Sequence, residues 1–310
     1  MNIVITEWNA PNGLEQLKQA GHHVHYDPGL WNRPELSEAV KAADALIVRN
    51  QTRVDAALIE AAPRLKVIGR LGAGLDNIDL DAAARRDIPV VTAGSANASS
   101  VAEYVIAAIF HSARRLGEAA DSVRSGGWLR QQFTLHEIEG KTLGLIGVGE
   151  IGRRTGDRAK ALGMNVLGFD PRFEQDGDAA AETGIIHAAF NRVLAESDYV
   201  SLHLPLLPST RGLIGASALN QMKASAVLIN TSRGGVVDED ALAATLSANK
   251  LAGAVLDVLS QEPPRKDHPL LALPTCTITP HIAGLTQESQ EQISEIVSAG
   301  VINALGGQAG

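Results

Sequence analysis

Arg233, Glu262 and His281 carry side chains from which a redox reaction at a carbonyl can be built. Arginine binds a carboxylate with its planar fork and polarises the adjacent carbonyl. Histidine supplies or takes a proton near neutral pH. A glutamate touching that histidine favours the imidazolium and raises its pKa toward working pH. Each residue follows a strand-like apolar run, in Asn230-Thr231-Ser232-Arg233-Gly234-Gly235, Asp257-Val258-Leu259-Ser260-Gln261-Glu262-Pro263 and Thr279-Pro280-His281-Ile282. Taken singly, each has a plainer reading: a surface arginine, a turn glutamate before Pro263, a core histidine. What joins them is their order behind a nucleotide motif.

That motif is a glycine loop. The apolar run Leu143-Gly144-Leu145-Ile146 ends in Gly147-Val148-Gly149-Glu150-Ile151-Gly152, and a helical pattern follows. A second strand-like run, Asn165 to Phe169, ends in Asp170, 18 residues beyond Gly152. Strand, tight turn, helix and a delayed acid are the pattern of a dinucleotide site. Gly147 permits the turn, Gly149 lets the backbone approach a pyrophosphate, and Gly152 allows close helix packing. The helix start, at Glu150 and Ile151, turns N–H groups and a positive dipole end toward the phosphate. Asp170 accepts hydrogen bonds from ribose hydroxyls and repels a 2′-phosphate, which favours NAD over NADP. Arg172, two residues on, can tolerate that phosphate and blurs the preference.

Such residues need strand ends to sit on. Strand candidates are Ile3 to Thr6, His23 to Tyr26, Ala45 to Val48, Lys66 to Gly69 and Pro89 to Val91, with helical patterns such as Leu14 to Ala20 and Asp55 to Ala62 between them. Further along come Thr142 to Gly147, Asn165 to Phe169, Tyr199 to His203, Val227 to Asn230, Gly253 to Asp257 and Thr277 to Thr279. Strands alternating with helices imply parallel sheets with right-handed crossovers. Open sheets of that kind place their sites in loops at the strand C-terminal ends. Ser100-Val101-Ala102-Glu103 reads as a capping box. It opens one long helix that runs to about Val123 and stops at Ser125-Gly126-Gly127, a crossover between two units. The last helical pattern, Thr286 to Ala304, follows the final strand and can return to the first unit.

The bulk numbers bound the answer. A chain of 310 residues suits two domains by the soft prior of ~150 residues each. It is 45% hydrophobic and 20% charged, as ordinary globular proteins are. Aromatic residues make up only 4%, so the cores must be built from Ala, Val, Leu and Ile. A formal charge of -8 disfavours nucleic acid or an anionic membrane as a partner. Cys276 is the single cysteine, which excludes an intrachain disulfide and reads as buried filler rather than nucleophile. Met1 to Ile5 runs straight into a strand pattern with no signal-peptide character. No window reaches ~18 continuous apolar residues, and no metal site is read. A cytoplasmic protein is expected.

Together these motifs resemble the D-isomer-specific 2-hydroxyacid dehydrogenase family, which includes D-3-phosphoglycerate dehydrogenases. The likeness spans essentially the whole chain. It rests on Gly72-Ala73-Gly74-Leu75-Asp76-Asn77-Ile78-Asp79, Ser100 to Glu103, Gly147 to Gly152 with Asp170, His203-Leu204-Pro205, Asn230 to Gly235, Asp257 to Pro263, and Pro280-His281. The resemblance implies an α/β protein of two doubly wound parallel-sheet domains. One is a flavodoxin-like substrate domain, residues 1–97 plus 285–310; the other is a Rossmann nucleotide-binding domain, residues 98–284. It implies Arg233, Glu262 and His281 as the catalytic set and a homodimer built on the nucleotide domain. It also places His203, Pro205, Thr231 and Ser232 at the cofactor, and has Asp257 bond the nicotinamide carboxamide. The Gly72-Ala73-Gly74 loop offers N–H groups to the substrate carboxylate, with Asn97 nearby. Plainer alternatives stand for several of these: a strand-to-helix turn for the loop, a turn acid for Asp257, a cap for Ser100.

The implied reaction moves a hydride between C4 of NAD and C2 of a 2-hydroxy or 2-keto acid. Arg49 and Arg53, after the strand Ala45 to Val48, point to a second anionic group such as phosphate or sulfonate, or else are solvated surface arginines. A chain ending at Gly310 leaves no room for the regulatory domain that many phosphoglycerate dehydrogenases append. That weakens a role in serine synthesis and leaves sulfolactate-like activity open. The alternative is an NAD(H)-sensing protein resembling C-terminal-binding corepressors, without turnover.

Overall fold

Two wholly parallel sheets account for the alternation of strands and helices. In the computed structural model, which describes residues 1–174 and 184–306, the first sheet holds β1 (Asn2–Ile5), β2 (His23–Tyr26), β3 (Ala45–Val48), β4 (Val67–Arg70) and β5 (Val90–Thr92). Their order is β2-β1-β3-β4-β5, the flavodoxin-like order. The second holds β6 (Thr142–Ile146), β7 (Asn165–Phe169), β8 (Ile186–His187), β9 (Tyr199–Leu202), β10 (Val227–Asn230), β11 (Gly253–Leu256) and β12 (Cys276–Ile278). Their order, β12-β11-β10-β9-β6-β7-β8, is the doubly wound dinucleotide-binding order, which reverses between β6 and β9. The sheets belong to two compact units, Met1–Asn97 with the segment from Leu285, and Ala98–Gly284.

Each unit buries its sheet on both faces, which is why the strands read as nearly continuous apolar runs. In the first, Ile3, Ile5, Ala45, Ile47 and Val67 point one way, toward Leu17 of α1 (Pro11–Gln19) and Ile293, Val297 and Val301 of α11 (Gln287–Ala304). Val4, Leu46, Val48 and Ile68 point the other way, toward α2 (Leu36–Ala39), α3 (Ala56–Ala61) and α4 (Leu80–Ala84). α11 thus closes the N-terminal sheet, lying on α1, β4 and β5. In the second unit, Leu143, Leu145, Val166, Ile229 and Val255 pack with α5 (Ala98–Arg114) and α7 (Glu150–Ala161). The opposite face packs with α8 (Phe190–Glu196), α9 (Ala216–Leu219) and α10 (Glu239–Ser247). Both sheets are tied the same way at their first strand. Asp44 Oδ2 accepts from Asn2 N at 2.8 Å, and Asp198 Oδ2 accepts from Thr142 N at 2.9 Å.

Two expectations are corrected and one strand is added. The long helix from Ser100 to Val123 is two helices, α5 and α6 (Leu116–Arg124), parted at Arg115 with φ 46°. Apolar periodicity does not register one left-handed residue. Ser100 is not at the cap position: α5 begins at Ala98, so Ser100 sits inside its first turn, 8% exposed. The spacing Ser-x-x-Glu is met without its geometry. β8 was not read at all, because two residues paired only to β7 carry no periodicity. Among the described residues, no helix is long and apolar enough to cross a membrane.

Val297 is fully buried between α11 and the first sheet. Val297→Ala should lower stability by about 1.5–3 kcal/mol, read as a reduced urea midpoint. An unchanged midpoint would mean that α11 does not close that sheet.

Candidate active site

The glycine loop lies at the point where the strand order of the second sheet reverses. Gly147 has φ 95°, and a Cβ there would stand 2.3 Å from the His203 carbonyl oxygen after β9. The turn therefore abuts the next strand's exit, and only glycine fits. A Cβ on Gly149 would meet nothing nearer than Arg172 Nη2 at 3.9 Å, so this peptide faces open space where a phosphate can approach. The first N–H groups of α7, from Glu150 and Ile151, have no partner within the helix. Hydrogen bonds from Arg154 and Arg153 hold the Glu150 carboxyl below its ordinary pKa, and each arginine neutralises charge beside the loop. Thr231 Oγ1, just after β10, is buried and has no hydrogen-bond partner among the described residues. Open loop, helix start and unpartnered hydroxyl all fit a dinucleotide.

His203 and Pro205 follow β9. Ser201 Oγ lies 3.0 Å from His203 Nε2. Burial pushes the imidazole pKa down to about 4, so this histidine is neutral. Asp170 follows β7 and is 5% exposed. Its Oδ1 accepts from Arg172 N (3.0 Å) and Nε (2.9 Å), and its Oδ2 from Arg172 Nη2 (2.6 Å) and Val148 N (2.9 Å). A carboxylate has about four acceptor positions, and all are filled here. The Arg172 hydrogen bond outweighs burial, and with the two N–H donors brings Asp170 down to about 2.

Arg233, Glu262 and His281 come together. Asn230, 1% exposed, builds the first of their loops: its Oδ1 accepts from Ser232 N and Oγ, and its Nδ2 donates to the Arg233 carbonyl at 3.1 Å. Arg233 Nη1 donates to the Ser232 carbonyl. A Cβ on Gly234 would fall 2.0 Å from the Leu259 carbonyl oxygen, so the Arg233 loop rests directly on the Glu262 turn. Glu262 Oε1 accepts from Leu259 N at 3.1 Å, and its Oε2 from His281 Nδ1 at 2.8 Å. Burial opposes ionisation of Glu262. The His281 hydrogen bond and charge, the Leu259 N–H and the Arg233 charge overcome it and hold the carboxyl below its ordinary pKa. Both partners keep exposed surface, 41% for His281 and 36% for Glu262, so the pair is open to a reactant.

His281 itself has φ 57°. A non-glycine residue persists there only when its surroundings determine it, and here they do. His281 N donates to the Asp257 and Thr279 carbonyls, both at 3.0 Å. Asp257, 1% exposed, accepts from Ile282 N (2.8 Å), Ala283 N (2.7 Å) and Thr279 Oγ1 (2.6 Å). The Tyr104 hydroxyl bonds Thr279 in turn. The structure thus gives Asp257 the task of a turn acid beneath His281. Tyr104 stands in no motif, and the sequence marks Thr279 only as a strand end before His281.

In the other unit, Arg49 follows β3 and its guanidinium lies 5.7 Å from the Trp8 ring centroid. Burial lowers its pKa, opposed by Glu7. Glu7, 2% exposed, shapes this loop by accepting from Arg49 N (2.7 Å), Thr52 N (2.9 Å) and Gln51 N (3.0 Å). It too was missed; an acid directly after the first strand was the signal. Asn77 Nδ2 donates to the Arg49 and Thr52 carbonyls, which joins the Arg49 loop to the stretch after β4 that contains Gly72, Ala73 and Gly74. Arg53 is 85% exposed beside Asp55, a solvated arginine. Asn97 is the last residue of its unit before α5. Cys276, with burial pushing its thiol up to about 12, is no nucleophile. Among the described residues, no cluster of His, Cys, Asp and Glu can hold a metal ion.

The family model described as "D-isomer specific 2-hydroxyacid dehydrogenase, NAD binding domain" matches residues 106–283. The chain is 40% identical over 303 residues to D-3-phosphoglycerate dehydrogenase of Archaeoglobus fulgidus, covering 98% of this chain and 57% of that relative. The chain therefore spans little more than half the length of that curated relative. It is 46% identical over 275 residues to (S)-sulfolactate dehydrogenase of Chromohalobacter salexigens, covering 89% of each. The solved D-lactate dehydrogenase of Aquifex aeolicus, complexed with NAD and lactic acid, superimposes with a TM-score of 0.85 at 31% identity, covering 98% of this chain and 97% of that one. The glycine loop, the strand order and the Arg233, Glu262 and His281 loops have a common explanation: the chain belongs to the D-isomer-specific 2-hydroxyacid dehydrogenase family.

Proposed function

We propose that this protein interconverts a 2-hydroxy acid and a 2-keto acid, with NAD as the hydride acceptor or donor. The observation that carries the proposal is the 2.8 Å contact of His281 Nδ1 with Glu262, beside Arg233. The loop from Gly147 to Gly152, with Thr231, would hold NAD, which would supply the hydride acceptor or donor for C2. The chain's own residues do the rest. Arg233 holds the carboxylate and polarises the C2 oxygen. Glu262 accepts the Nδ1 proton of His281, which fixes the tautomer and leaves Nε2 to work. In reduction, Nε2 of the imidazolium gives its proton to the C2 oxygen; in oxidation, neutral Nε2 takes the hydroxyl proton.

The unit from Met1 to Asn97, with α11, is proposed as the substrate domain. Within it Arg49, set over Trp8, is the cation offered to a second anionic group, and Gly72-Ala73-Gly74 the N–H donors to a carboxylate. A phosphate- or sulfonate-bearing hydroxy acid fits this best, as the names of two relatives also favour. Partner contact is assigned to a second copy. α6 and the segment after it expose Leu116, Val123, Trp128 and Leu129, with Trp128 at 75%. A metabolic enzyme of this kind, with one cysteine, suits the cytoplasm.

NADH oxidation should occur with at least one of hydroxypyruvate phosphate, sulfopyruvate, hydroxypyruvate, glyoxylate and pyruvate. Tight NADH binding without turnover on any of them would replace the enzyme with a cofactor-sensing protein. His281→Ala should lower kcat by roughly two to four orders of magnitude; near-native turnover would remove His281 from the mechanism. Arg233→Ala should raise KM for the keto acid and lower kcat, and an unchanged KM would contradict its carboxylate role. For Asp170, the folded pKa of about 2 lies below the ordinary 3.8. Its stabilisation, on the order of 2 kcal/mol, is present above about pH 4 and vanishes as pH falls through 2. Asp170→Asn should therefore lower the urea midpoint near neutrality and match wild type at the acid end. Equal midpoints at neutral pH would rule that out.

A further inference from the structure

A carboxylate outside the reacting set grips the turn that carries Glu262. Glu239 is the first residue of α10, where acids usually serve the helix. That service is already done by Asp238, whose Oδ1 accepts from Ala241 N at 3.0 Å. Glu239 instead reaches the β11–β12 connection. Its Oε1 accepts from both Ser260 N (2.6 Å) and Ser260 Oγ (2.7 Å). Its Oε2 lies 2.9 Å from His268 Nε2, and both side chains are only 14% exposed. A carboxylate only accepts, so His268 donates.

Ser260 sits inside the turn that Glu262 closes on Leu259 N. The peptide between Leu259 and Ser260 is the one on which Gly234 rests. His268 lies further along the same connection, just before the short helix Pro269–Ala272. Glu239 therefore holds the chain on either side of Glu262, at Ser260 and at His268, from a helix that begins five residues after Arg233-Gly234. Sequence separation makes the Arg233 loop and the Glu262 turn independent; Glu239 and the Gly234 contact make them one block.

We propose that Glu239 is a positioning residue for proton transfer: it registers the Leu259–Glu262 turn against the Arg233 loop and so keeps Glu262 on His281. The proposal rests on Glu262 and His281 being the proton-transfer pair. A hydrogen bond of 2.8 Å does not survive a displacement of its turn, and misplacement of about 1 Å can lower a rate 100-fold.

The test uses the full chain, NADH and the keto acid that turns over fastest. Glu239→Ala should reduce kcat roughly 10- to 100-fold, while NADH affinity, followed by its fluorescence, stays within about twofold of wild type. Glu239→Gln keeps an acceptor for Ser260 and should restore most of the rate. In a Glu262→Gln background, Glu239→Ala should add no further loss, because the group it positions is already gone. If Glu239→Ala does not fold, Ser260→Ala at an exposed position carries the test and should lower kcat in the same direction. Unchanged kcat in the folded variant, or a loss that simply adds to that of Glu262→Gln, overturns the proposal. Near-native rates for His281→Ala and Glu262→Gln would instead overturn the proton-transfer pair, and the proposal with it.

Discussion

Backbone N–H groups that leave a parallel strand have no ladder partner, and in this chain buried carboxylates supply one. A buried N–H without an acceptor is costly, and an acid on a neighbouring strand end can serve several. Glu7 takes three from the Arg49 loop, Asp257 two from the His281 turn, and Asp170 two from the glycine loop and its own exit. Asp44 and Asp198 do the same for the N–H groups where β1 and β6 begin. These contacts convert sheet geometry into loop geometry. Without them the sheets would still form, but nothing would fix where a loop side chain points.

The chemistry inherits this precision. Arg233, Glu262 and His281 lie on three loops after three adjacent strands, β10, β11 and β12. Hydrogen-bonding within one sheet brings those exits side by side. It does not bring a histidine nitrogen to 2.8 Å from a carboxylate. That takes the left-handed backbone of His281, which Asp257 and the Thr279 carbonyl impose, and the closed turn of Glu262. Asp257 has a structural role in this arrangement that does not depend on touching a cofactor.

Much of this was legible because the signals are local or strongly typed. Strand runs such as Ala45 to Val48 are buried on both faces, so hydrophobicity alone marks them. Gly147 and Gly152 announce a turn that no other residue fits. Arg233, Glu262 and His281 could be picked out because they follow three apolar runs in order behind the glycine motif. Asp170 and Asp257 stand in motifs, but Glu7 and Glu239 were not legible. Glu239 stands among Asp238 and Asp240 at a helix start, where all three look like helix-favouring charges. Tyr104 lies on the apolar stripe of α5, and its bond to Thr279 spans 175 residues. The break at Arg115 was hidden because α6 continues an apolar spacing that faces outward rather than into a core.

The return of α11 to the first sheet has a consequence for how the chain comes into being. Residues 98–284 are contiguous, so every contact of that unit is available once Gly284 has been made. The N-terminal unit is different. One face of β4 and β5 stays bare until Ile293, Val297 and Val301 emerge, after the whole intervening unit. During synthesis, which proceeds at about 5–20 residues per second, the part that starts first therefore finishes last. Its exposed apolar face waits for α11, so of the two units the one begun earlier is completed later.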